Sequence, residues 1–67
     1  MPKLTFITDN ARKAATFTDR LYSWGYWPVH FSRTYKNTGI TRYYIKAVFT
    51  PYEADAAKHF FSALNIS

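Results

Sequence analysis

The chain has 67 residues, 21% of them aromatic, a net charge of +5 and no cysteine. That length provides one small domain with a marginal core, and the lack of thiols excludes a disulfide framework, a thiolate zinc site and a cysteine nucleophile. Nine Lys and Arg against four acids favour anionic partners: nucleic acid, an acidic protein surface or an anionic membrane.

The opening Met1-Pro2-Lys3-Leu4-Thr5-Phe6 has no apolar run of the signal-peptide kind, and no stretch approaches membrane-spanning length. The expectation is a soluble, cytoplasmic protein with no membrane partner. Leu4 to Thr8 reads as a short strand, with Leu4 and Phe6 on one side and Lys3, Thr5 and Ile7 on the other. Thr8 or Asp9 supplies an N-cap for a helix from Asn10 to Trp24. In that helix Ala11, Ala14, Phe17 (or Thr18), Leu21 and Trp24 recur at helical steps. Gly25 stands where a left-handed residue ends a helix, and Pro28 prevents resumption. The cluster Trp24-Gly25-Tyr26-Trp27-Pro28 is expected to pack as a corner, the alternative being an exposed anchor for a partner or for the membrane interface.

From Trp27 to Phe49 the chain reads as a β-hairpin, with Asn37-Thr38-Gly39 as its turn and Ile40 to Phe49 as its second arm. Tyr43, Ile45, Ala47 and Phe49 alternate with Arg42, Tyr44 and Lys46. On the first arm Val29, Phe31 and Tyr35 share one parity, and His30, Ser32, Thr34 and Lys36 share the other. Thr50-Pro51-Tyr52-Glu53 then opens a second helix: Thr50 caps, Pro51 loses nothing by lacking an amide, and Glu53 can reach back to the cap. Ala54, Ala57, Phe61 and Leu64 form its apolar side, and Asn65 is expected to end it.

The order βαββα predicts an α+β fold: a three-stranded sheet in the order 1-3-2 with both helices on one face. A right-handed crossover is expected to set the first strand parallel to a neighbour. The other sheet face is left open, displaying Lys3, Thr5, Ile7, His30, Ser32, Thr34, Lys36, Arg42, Tyr44, Lys46 and Val48. Arg33 falls on the covered parity, where it fits only by snorkelling or through a bulge. No carboxylate occurs between Asp19 and Glu53, so the hairpin cations have no local acid opposing them.

This order resembles a ferredoxin-like β-α-β-β-α-β domain without its last strand, and within that group it is similar to the RNA-recognition motif. The run Arg42-Tyr43-Tyr44-Ile45-Lys46-Ala47-Val48-Phe49 matches the family's strand-three signature at Arg42, Tyr44 and Phe49. It departs from that signature at Tyr43, Ile45, Lys46 and Ala47. Val48-Phe49-Thr50-Pro51 and the Ala-rich helix after it also look like the family's passage out of that strand. The resemblance implies nucleic-acid binding, single strands favoured, with Tyr44 as the one retained stacking position. The second stacking position falls on Lys46, and Thr5 occupies the exposed slot of the first strand.

The candidate nucleic-acid-binding residues are Lys3, His30, Lys36, Arg42, Tyr44 and Lys46. The alternative is a protein-interaction module, such as a small viral or mobile-element inhibitor or adaptor. It would dock an acidic protein through the basic face or pair through the open edge of the first strand, where a second copy could also add. No enzyme, metal or cofactor is expected. His30 and His59 lie in separate elements, and there is neither a nucleophile elbow nor a glycine-rich phosphate loop.

Overall fold

The computed structural model describes residues 3–64. β1 (Lys3–Thr8), α1 (Ala11–Ser23), β2 (Val29–Thr34), β3 (Thr41–Val48) and α2 (Pro51–Ala63) follow in the order βαββα. The sheet order is β1-β3-β2, as expected, and the fold is α+β. Both pairings are antiparallel, which corrects the expected parallel neighbour for β1. α1 carries the chain past one sheet position, so β1 and β2 run parallel but β3 lies between them. The arrangement is compatible with a ferredoxin-like sheet of which three strands are present.

The core lies between one sheet face and the two helices. Phe6, Ile45 and Ala47 come from the sheet, Ala14, Phe17 and Leu21 from α1, Ala54 and Ala57 from α2, and Phe49 from the β3–α2 connection. Phe17 is its centre: its ring lies 4.7 Å from Phe6, 4.9 Å from Phe61 and 6.0 Å from Phe60. Small side chains on both helices let these rings approach, so aromatic area replaces the volume that a larger domain would supply with aliphatics.

Local chemistry explains where the helices start and stop. Asn10, and neither Thr8 nor Asp9, caps α1, its Oδ1 accepting from the Lys13 N–H at 3.0 Å. Thr8 instead holds the Asn10 N–H through its Oγ1 at 3.1 Å. At the other end Gly25 adopts φ +92°, and the N–H groups of Gly25 and Tyr26 donate to Tyr22 O and Leu21 O, each at 3.0 Å. These two nested bonds form a Schellman cap, which needs the left-handed residue that only glycine supplies at little cost. The aromatic corner that follows is split. Pro28 is buried and Tyr26 packs on Phe49 at 4.9 Å, but Trp24 is half-exposed and Trp27 is 87% exposed. The expected helix end at Asn65 lies outside the described residues.

Thr50 caps α2 as expected, accepting from the Glu53 N–H at 3.2 Å. Glu53 answers through the Thr50 hydroxyl, which donates to its Oε1 at 2.8 Å, and not through the backbone amide. The Tyr26 hydroxyl is buried near this carboxylate without a well-formed hydrogen bond. Burial first, then Glu53, pushes its pKa up to about 12. Glu53 is correspondingly held below its ordinary 4.5, by the Tyr26 and Thr50 hydroxyls. A carboxyl whose pKa is lower folded than unfolded adds stability above the unfolded value and loses it as pH falls through the folded one. Urea midpoints of the parent should therefore fall on acidification below pH 4.5, and Glu53→Gln should flatten that part of the profile.

One sequence-based expectation about the hairpin is overturned, and its cause is a single residue of loop length. A three-residue turn at Asn37-Thr38-Gly39 would set Lys36 opposite Ile40. The observed closing pair is Tyr35 with Ile40, its N–H donating to Ile40 O at 2.9 Å, so four residues lie between the arms. Gly39, at φ +72°, completes the loop by donating to Tyr35 O at 2.7 Å. A shift of one residue moves every side chain of a strand to the opposite face. Val29, Phe31 and Arg33 thus share the open face with Lys46, Tyr44 and Arg42, while His30, Ser32 and Thr34 lie on the helix side.

Candidate anion-binding face

The register places the open face row by row. Thr5, Lys46 and Val29 form one row across β1, β3 and β2, and Ile7, Tyr44 and Phe31 the next. Arg42 and Arg33 then stand directly opposite each other, and Lys3 lies at the far end opposite Val48. Four of the expected site residues, Lys3, Arg42, Tyr44 and Lys46, are therefore on this face. His30 is not: it lies on the reverse side, at a groove of about 430 Å³ between α1 and β2 that Asp19 and Ser32 also line. Among the described residues no hydrogen bond joins Asp19, His30 and Ser32. Lys36 belongs to the hairpin loop, beyond the end of β2. Ser32 and Thr34 leave the open face with His30, for the same reason of register.

Sequence reasoning missed Arg33, Phe31 and Tyr35 as members of the site. The signal available was the misfit itself: a cation on the supposedly covered parity of β2. Once Arg33 faces outward, no snorkelling or bulge is needed, and the β2–β3 ladder is continuous.

These side chains are ordered against one another. Phe31 and Tyr44 stack with centroids 4.9 Å apart and planes 9° from parallel. Lys46 Nζ lies 5.4 Å from the Phe31 ring, and the Arg42 guanidinium lies 5.4 Å from the Tyr35 ring. The Tyr35 and Tyr44 hydroxyls share a hydrogen bond of 2.6 Å. A connected chain thus runs Lys46, Phe31, Tyr44, Tyr35, Arg42. The shared bond draws the Tyr35 phenol below its ordinary 10.0, with Arg33 and Arg42 adding to the effect, and it pushes the Tyr44 phenol up.

The charge is segregated. None of the three strands contains Asp or Glu, and the four acids belong to α1, α2 and the β1–α1 connection. Like charges directly opposite on neighbouring strands destabilise a sheet, so the Arg33–Arg42 pair is a local cost that no acid on the strands offsets. Farther along the same face lie exposed aliphatics, Ile7 at 50%, Val29 at 62% and Val48 at 50%. Among the described residues no cluster of three or more His, Cys, Asp or Glu side chains forms, and no helix is long and apolar enough to cross a membrane.

Fold and face together define a small α+β sheet domain, covered by helices on one side and basic-aromatic on the other. Compared with known proteins, the chain matches no family model, no curated sequence and no solved structure.

Proposed function

We propose that this is a non-enzymatic nucleic-acid-binding domain that receives a single strand on its open sheet face. The observation that carries the reading is the Arg33–Arg42 pair, two guanidiniums opposed across one ladder with no carboxylate on the sheet. An anion between them turns a repulsive pair into a bidentate clamp, and phosphate suits guanidinium geometry. Lys46 and Lys3 extend the positive track along the sheet. Both helices pack on the reverse side, so this face has no helix to enter a duplex groove; a flat basic-aromatic sheet suits unstacked strands. Because Phe31 and Tyr44 already stack on each other, phosphate contacts lead and base stacking is secondary.

Titration of short single- and double-stranded oligonucleotides at several ionic strengths tests this. With four cations engaged, log affinity for single strands should fall with log salt at a slope of roughly −3. Affinity that ignores salt, or that favours duplex over single strand, would overturn the reading.

The exposed Ile7, Val29 and Val48 favour a second reading, in which the same face docks an acidic protein with an apolar centre. A purified partner that binds after nuclease treatment, and is displaced by Val29→Asp more strongly than by Arg33→Thr, would support it over the first.

A further inference from the structure

We propose that the outer edge of β2 pairs antiparallel with β2 of a second copy, centred on Ser32, joining two sheets into one of six strands. The inference does not depend on the ligand of the open face.

Backbone accounting comes first. The Tyr35 N–H is spent on Ile40 O, and the alternation of an antiparallel ladder then directs the groups of Arg33, Phe31 and Val29 toward β3. His30, Ser32 and Thr34 consequently turn their N–H and C=O groups outward, away from the sheet. All six residues of β2 are exposed, and the strand contains no Pro and no bulge, Arg33 being its one charged side chain. β1, the other edge, begins with Lys3 and is backed by α2, whose Phe61 ring lies 4.9 Å from Phe6.

Self-complementarity then selects the register. Centring on Ser32 sets His30 against the partner's Thr34, so all three outward residues pair hydrogen-bonding groups with hydrogen-bonding groups. In the same register Phe31 faces the partner's Arg33 and Val29 faces the partner's Tyr35. The first of these repeats the ring–cation contact that Lys46 already makes with Phe31. Centring on Arg33 would oppose that residue to its own copy. Centring on Phe31 would set Pro28, which has no N–H, against Thr34. The pairing places two Arg33–Arg42 pairs on one continuous surface.

The chain has no cysteine, so single cysteines report the geometry cleanly. Residues at the symmetry centre lie about 5.5 Å apart between Cα atoms, within disulfide reach, whereas Thr34 and its copy lie roughly 13 Å apart. Under mild oxidation Ser32→Cys should form a disulfide dimer about tenfold faster than Thr34→Cys or the β1 control Thr5→Cys. Sedimentation should show the parent as a dimer, and Ser32→Pro as a monomer with an unchanged circular dichroism spectrum, because that amide serves only the partner. A monomeric parent, a Ser32→Pro dimer, or fastest cross-linking at Thr34→Cys or Thr5→Cys would each overturn the proposal.

Discussion

Replacing Arg33 and Arg42 together with threonine is expected to weaken single-strand binding by about 100-fold while making the free domain more stable. Each guanidinium–phosphate contact is a charge-assisted hydrogen bond of about 1.5 kcal/mol, so two amount to about 3 kcal/mol. The salt slope should fall with them, from roughly −3 to roughly −1.4, because two of four neutralised phosphates are lost. Stability moves the other way. The opposed pair costs the sheet about 0.2–1 kcal/mol, and threonine is a good strand former. Opposite signs separate a ligand site from a folding contribution, since a misfolded variant loses both. An unchanged affinity in a well-folded double variant would remove the reason for assigning this face to an anion.

Phe17→Ala is expected to lower the urea midpoint far more than Phe31→Ala does. Phe17 is fully buried and touches three other rings, and truncating such a residue costs about 3–5 kcal/mol. A domain of this size has a total stability of roughly 3–10 kcal/mol, so that loss takes a large share of it. Phe31 is 42% exposed, and its contacts are with Tyr44 and Lys46 on the open face. Removing it forfeits one ring stack, about 0.5–1.5 kcal/mol. Circular dichroism in urea distinguishes the two variants, and equal losses would mean that β2 has the register first expected from its parity.

Much of this architecture was readable from the chain because the signals were local and redundant. The Thr50-Pro51-Tyr52-Glu53 start, the glycine after Trp24 and the clean alternation of β3 each carry their own physical cause. The strand order followed from the connections, since a helix-length crossover and a short hairpin leave few arrangements for three strands. The face of β2 was not readable in this way. Its apolar parity (Val29, Phe31) would mark a core side only if a helix covered that strand, and β2 is an edge strand exposed along its whole length. Its true orientation depended on the closing pair of the loop, and both Tyr35 and Lys36 are chemically acceptable there. His30 was lost from the site, and Arg33, Phe31 and Tyr35 were gained, through that one ambiguity. Trp27 erred in the same direction: aromatic area in a small domain is usually buried, yet the Schellman turn carries Tyr26 inward and leaves its neighbour outside.

The linked side chains of the open sheet also affect how quickly and tightly anything could dock there. Long cationic side chains are normally free rotors that must be immobilised on complex formation, at about 0.5–1.5 kcal/mol each. Here Lys46 is laid along Phe31 and Arg42 along Tyr35, and the two hydroxyls tie the halves together. Much of that freedom was surrendered when the chain folded. A guest therefore meets a template that is already set, and breaking the tie with Tyr44→Phe should make its capture entropically harder without removing a single positive charge.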